Sequence, residues 1–343
     1  MQVLVTGHLG YIGTCLVPRL LHAGFEVTGT DTDLYRRCTY GQLDERVPNL
    51  SRDIRDLSSS DLEGLEAVVH LAGLSNDPLG ELNPRLTMEI NHVATVNLAE
   101  MARAAGVRRF LFSSSCSNYG AAGEAEVTED HPFNPVTAYG RSKVAAEQDL
   151  SALAASGFSP TYLRNATVYG YSPRMRFDLV LNNLLAWAVT SGRVLLKSRG
   201  LAWRPLVHVE DVADAFIACL CAPPEDVHDQ AFNIGLSSEN FRVVEIANRV
   251  VEHVPGSALD MVAGATADTR SYRVNCDRVA SVLPAWRPRW NMDKGITSIL
   301  EVYARIGLAE GDFEGPAYAR VAHLKQLLND GGLRCDLRFR PAA

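Results

Sequence analysis

The chain has 343 residues, 47% of them hydrophobic and 21% charged, which is an ordinary globular composition with room for one large domain and a smaller lobe. A net charge of −7 with no compensating basic run argues against a nucleic-acid binder. No stretch approaches the roughly 20 apolar residues of a membrane span, and the opening apolar run Val3-Leu4-Val5 is too short for a signal peptide. Seven cysteines, odd in number and irregularly spread, read as reduced thiols of a cytoplasmic protein. Cys219-Leu220-Cys221 lacks a second ligand pair, so no metal is expected.

The first element is a short β-run, Val3-Leu4-Val5, that meets a glycine-rich turn, Thr6-Gly7-His8-Leu9-Gly10-Tyr11-Ile12-Gly13. Residues from Thr14 to Leu21 carry apolar positions at helical spacing, so the glycines stand at a strand-to-helix junction. Gly7 permits the tight turn, Gly10 lets the backbone approach phosphates, and Gly13 lets helix and strand pack closely. Free N–H groups at the helix start suit a pyrophosphate. Pro18 is expected to bend that helix. The second strand, Phe25 to Thr30, ends at Asp31, where a carboxylate accepts hydrogen bonds from an adenine ribose and repels a 2′-phosphate. NAD is therefore favoured over NADP, with Arg36 and Arg37 as solvated loop charges.

A third strand is expected before Asp53-Ile54, whose carboxylate could reach an adenine amino group. A fourth, Ala67-Val68-Val69-His70-Leu71, runs into Ala72-Gly73, small residues that let a cofactor cross the strand end. Strands alternating with helical stretches (84–106 and 139–155) predict an α/β fold with a doubly wound parallel sheet. Further on, Tyr139-Gly140-Arg141-Ser142-Lys143 sets a phenol and an ammonium group one helical turn apart. An alcohol gives up hydride only if its proton leaves too, so a base is needed at the hydroxyl. Tyrosine, with a pKa of about 10, becomes that base if Lys143 and an oxidised nicotinamide lower its pKa.

The glycine spacing, Asp31, His70-Leu71-Ala72-Gly73, Phe112-Ser113-Ser114-Ser115, Tyr119-Gly120, Tyr139-x-x-x-Lys143 and Arg204-Pro205-Leu206-Val207-His208-Val209 follow one another in this order. In this the chain resembles the extended short-chain dehydrogenases/reductases acting on nucleotide-diphosphate sugars, most closely the UDP-galactose 4-epimerase type. The resemblance implies a Rossmann domain over residues 1–170, with later strands near 203–235 crossing back. Residues 171–343 would form mainly a smaller α+β substrate lobe and a tail. It implies Ser115, Tyr139 and Lys143 as catalytic residues. Cofactor contacts would come from Gly7, Gly10, Tyr11, Ile12, Gly13, Asp31, Asp53, Ile54, Leu71, Ala72, Gly73, Asn91, Ser113, Tyr139 and Lys143. Substrate contacts would come from Ser75, Asn76, Ser115, Ser117, Asn118, Tyr139, Thr167, Asn183, Arg204 and Arg270, with Asp77 a further candidate; the two arginines suit phosphates. A homodimer through the helices near 84–106 and 139–155 is implied by the resemblance alone.

Departures from the family narrow the reaction. Related 4,6-dehydratases carry an acidic pair after the serine or threonine, and this chain has Cys116-Ser117 instead. Related decarboxylases carry a glutamate, and cysteine-dependent epimerases a cysteine, at the position of Ser117. Cys116 is one residue out of step, which on a strand reverses the face, and it reads as structural. What remains is NAD-dependent 4-epimerisation of a nucleotide-diphosphate sugar, with an NAD(P)H-dependent 4-ketoreductase as the alternative and a non-catalytic dinucleotide sensor as a third reading. The nucleobase, the sugar and the role of the tail 333–340 are not legible.

Overall fold

The computed structural model describes residues 1–43, 47–265, 268 and 270–340. Its strands, in chain order, are β1 (Gln2–Thr6), β2 (Glu26–Thr30), β3 (Ala67–His70), β4 (Arg109–Ser115), β5 (Ala121–Val127), β6 (Ser159–Asn165), β7 (Thr167–Tyr169), β8 (Arg193–Leu196), β9 (Trp203–His208), β10 (Gln230–Ile234), β11 (Asn240–Arg242), β12 (Ala258–Met261) and β13 (Ser271–Val274). Six of them form one parallel sheet in the order β10-β6-β4-β3-β1-β2. Val3, Leu4 and Val5 are wholly buried, as a strand covered on both faces requires.

Alternation along the strands assigns the two faces. Val3, Val5, Val69 and Leu111 pack with Leu16, Leu20, Val212 and Phe216 of the helices Gly13–His22 and Val209–Cys221. Leu4, Val68, Phe110 and Phe112 pack on the other side with Leu98, Ala102, Ala146 and Leu150 of Ala94–Ala104 and Ala138–Ala152. This is the doubly wound α/β sheet, and it brings the strands' carboxyl ends to one edge.

Several elements differ from expectation. The strand awaited before Asp53 is reduced to a single bridge between Gly29 and Asn49, and Ile54–Asp56 is a 3-10 turn. Pro48 lends its carbonyl to Gly29 but has no N–H with which to extend a ladder. The helical stretch 84–106 is divided into Pro84–Met88, a π-turn at Glu89–Val93, and Ala94–Ala104. Of the strands near 203–235, β10 returns to the large sheet beside β6, whereas β9 pairs with β7 and β11 in a separate three-stranded sheet.

The second lobe is built on helices Val180–Ser191, Val243–His253 and Met292–Ile306, whose Leu184, Leu185, Ile246, Val250, Ile296 and Ile299 share one core. The chain then returns to the first lobe. Leu324 of helix Arg320–Asn329, with Leu333 and Leu337 of the tail, packs on Leu74, Leu79 and Leu86. Among the described residues no helix is long and apolar enough to cross a membrane. All seven cysteines are unpaired.

Candidate active site

A cavity of about 680 Å³ runs along the carboxyl edge of the large sheet, lined by residues that follow β1 (Gly7), β2 (Asp31) and β3 (Leu71) and that end β4 (Ser115) and β6 (Asn165). Open α/β sheets place ligands at this edge. The turn after β1 leaves no room for side chains. A Cβ on Gly7, whose φ is +71°, would lie 2.7 Å from Ala72 N, and one on Gly13 would lie 2.5 Å from the carbonyls of Gly7 and His8. Gly10 would meet the Gly7 carbonyl at 3.0 Å. Asp31 accepts from Leu9 N at 3.1 Å and Asp33 N at 2.8 Å, and burial raises its carboxyl pKa.

Asp53 and Ile54 line the same end of the cavity, but the Asp53 carboxylate is engaged by Arg55 at 2.6 Å, and that partner holds its pKa down against burial. Leu71, Ala72 and Gly73 form the floor. Tyr11 and Ile12 also line it, although the Tyr11 hydroxyl is turned away to the Gly170 carbonyl at 2.7 Å.

Thr137 caps helix Ala138–Ala152 by accepting from Gly140 N, and its hydroxyl donates to Asp77 at 2.6 Å. That cap fixes Tyr139 in the first turn and Lys143 one turn on. Both line the cavity with Ser113, Ser115 and Ser117. Lys143 Nζ donates to the Ser113 carbonyl at 2.8 Å, lies 4.4 Å over the Phe112 ring and 5.9 Å from the Tyr139 ring centre. Burial pushes the Lys143 ammonium down to about 7, opposed by Glu147. Burial likewise pushes the Tyr139 phenol up to about 12, against the pull of the Ser115 hydroxyl and the Arg176 charge. Without cofactor the phenol's shift is thus opposite to the expected lowering, because desolvation outweighs the nearby cations.

The substrate-side residues divide. Ser75, Asn76, Asp77, Thr167, Asn183, Arg204 and Arg270 line the cavity. Arg204 and Arg270 meet on Asp268 at 2.6 and 2.7 Å, Arg270 also pairs with Asp77, and Asn183 donates to Glu314 at 3.1 Å. Two expected contacts lie behind the cavity wall instead. Asn91, in the π-turn, spends its amide on Leu74 N and O at 2.8 and 3.0 Å and so fixes the loop after β3. Asn118 faces the buried pair Glu147–Arg164, donating to Glu147 at 2.9 Å. Cys116 points the same way, its thiol on the Arg164 carbonyl, and burial raises its pKa.

Sequence reading missed Arg176 and Asp178, which pair at 2.6 Å in the cavity wall, and Tyr35, Tyr272, Arg320 and Leu337, which also line it. The charged pair Arg176-x-Asp178 directly before the apolar run Leu179-Val180-Leu181 is the available signal for the first two.

Residues 3–235 match the family described as NAD dependent epimerase/dehydratase. The chain belongs to that family. NAD is accordingly its cofactor, and the geometry fits: a side chain at Gly7, Gly10 or Gly13 would close the cradle that a dinucleotide needs. Among similar proteins, a UDP-glucose 4-epimerase of Mycolicibacterium smegmatis is 30% identical over 88% of this chain and 98% of its own length. The solved structure of MoeE5 in complex with UDP-glucuronic acid and NAD is 28% identical with a TM-score of 0.77, over 89% of this chain and 99% of that one. An NAD-dependent NDP-hexosamine 5,6-dehydratase, TunA, shares the fold at 23% identity and a TM-score of 0.79, over 89% and 98%. The family's description names more than one reaction, and the choice among them rests on the side chains.

Proposed function

We propose that the protein is a 4-epimerase of a nucleotide-diphosphate sugar, working through a transient 4-keto sugar. The observation that carries this reading is the state of the carboxylates. Elimination of water needs a free carboxyl group beside the catalytic tyrosine. Apart from Asp31 and Asp53 at its cofactor end, the carboxylates among the described residues lining the cavity, Asp77, Asp178 and Asp268, are each paired with arginine. Glu147 is buried behind the strand on Arg164. Next to Ser115 stand a buried thiol and a hydroxyl.

NAD, when bound, supplies the hydride acceptor and donor and a further positive charge. Tyr139 takes the proton from the C4 hydroxyl as that carbon becomes a ketone, and returns it when the ketone is reduced on its other face. Lys143 and Ser115 act on the same oxygen, the first by its charge and the second by a hydrogen bond. Arg204 and Arg270 hold the diphosphate, with Asn183 beside them.

Denaturing the purified protein without added cofactor and identifying the released nucleotide by mass tests this reading. Near-stoichiometric NAD, mostly oxidised, is expected of an enzyme that regenerates its cofactor in place. An empty site that refills reversibly with NADH or NADPH would transfer the assignment to a 4-ketoreductase.

A further inference from the structure

Arg320 has no part in the chemistry above and lies well beyond residue 235, where the family match ends. It is 6% exposed, lines the cavity, and stacks over the Tyr35 ring at 4.3 Å. Its Nη1 lies 3.5 Å from Ser75 Oγ, and its Nε has no hydrogen-bond partner. It makes no ion pair among the described residues, and the adjacent Asp178 is already held by Arg176 and Asn76. A guanidinium stays charged, and a buried charge without an opposite one is costly. The site is short of an anion.

Sheet order says where that anion lies. β1 runs between β2 and β3. Tyr35 follows the end of β2 and Ser75 follows the end of β3, so a group touching both lies across the carboxyl end of β1. That end carries the glycine turn, where the pyrophosphate of a bound dinucleotide sits.

We propose that Arg320 is a cofactor ligand brought in by the C-terminal segment, its guanidinium pairing with the NAD pyrophosphate. The segment is anchored for this purpose at several points. His323 meets the Leu34 carbonyl at 3.0 Å, Arg338 pairs with Asp56 at 2.7 Å, and Arg55 donates to the Asp336 carbonyl at 2.9 Å. Leu337 lines the cavity beside Asp53 and Ile54, so the segment covers the cofactor from pyrophosphate to adenine.

The test uses the full chain stripped of cofactor, with Arg320→Gln and Arg320→Lys beside the parent. Titration with ADP-ribose and adenosine separates phosphate from base. Arg320→Gln should weaken ADP-ribose about 10- to 100-fold, the effect of losing one partner of a buried charge pair. Adenosine should be unchanged within about twofold, and Arg320→Lys should retain most of the ADP-ribose affinity. UDP binding to the NAD-loaded protein should also stay within about twofold. Unchanged ADP-ribose affinity overturns the proposal. So does an equal loss for adenosine, which would make the residue a packing element, or a loss confined to UDP, which would place the anion on the substrate. Should Arg320→Gln fold poorly, Arg320→Met, apolar and of similar length, takes its place: the same loss for ADP-ribose without a loss for adenosine is expected, and an unchanged ADP-ribose affinity overturns the pairing.

Discussion

Lys143 donates from Nζ to the main-chain carbonyl of Ser113 at 2.8 Å, tying the helix that carries Tyr139 to the strand that ends in Ser115. One bond therefore links the elements that carry the three groups proposed to be catalytic, and it does so with an ammonium that burial has pushed down to about 7. The folded chain binds fewer protons than the unfolded one between about pH 7 and the ordinary lysine range. Stability of the cofactor-free protein is thus penalised at low pH and relieved as pH rises through that window. The melting temperature of Lys143→Met relative to the parent should be most favourable near pH 6, and that advantage should shrink steadily as pH rises from about 7 toward the ordinary lysine range. A difference that does not change with pH would contradict the assignment. Activity of Lys143→Met should fall at least about 100-fold at every pH.

Tyr139→Phe removes the proton acceptor while keeping the ring. Turnover should drop about 1,000-fold or more, with the NAD content of the purified protein unchanged. Residual activity within tenfold of the parent would assign the proton to another group.

Gly13→Ala sets a Cβ 2.5 Å from two backbone carbonyls, which cannot swing aside as a side chain would. A destabilisation of at least about 1–3 kcal/mol is expected, together with loss of bound NAD. Gly157→Ala, where the added carbon meets nothing within 4 Å, is the control and should melt within about a degree of the parent.

Glu147 and Arg164 form a buried pair at 2.7 Å that also holds Ser114 and Asn118 behind the catalytic strand. Glu147→Gln leaves the guanidinium buried without its counter-charge and should cost about 3–5 kcal/mol in urea unfolding. Pairing it with Arg164→Met should recover part of that loss. Additive losses would mean the two residues act separately.

Cys116→Ala should keep turnover within about fivefold, since the thiol faces the Arg164 carbonyl and not the cavity. Loss of activity on this change would point to thiol chemistry at the sugar carbon.

The parallel sheet, the glycine turn and the Tyr139–Lys143 pair were legible because each is local: a period, a turn geometry, a four-residue spacing on one helix. The missing strand before Asp53 failed on a local detail, the single N–H that Pro48 lacks. Asn91 and Asn118 are ligand contacts on the resemblance alone. Their amides instead satisfy the Leu74 backbone and Glu147, partners 17 and 29 residues away. Arg320 was out of reach altogether. Its neighbour Ser75 is 245 residues earlier, and no spacing rule links a C-terminal helix to the mouth of the first strand.

The central claim is hydride recycling at a single carbon, and solvent deuterium tests it most directly. The NAD-loaded protein is incubated in D2O, without added reductant, with UDP-, dTDP-, GDP- and ADP-hexoses, and the products are read by NMR. A C4 epimer with no deuterium on any carbon and no net change in NADH is expected. Deuterium at a carbon beside C4, loss of water from the sugar, or turnover only with added NADH or NADPH would contradict it.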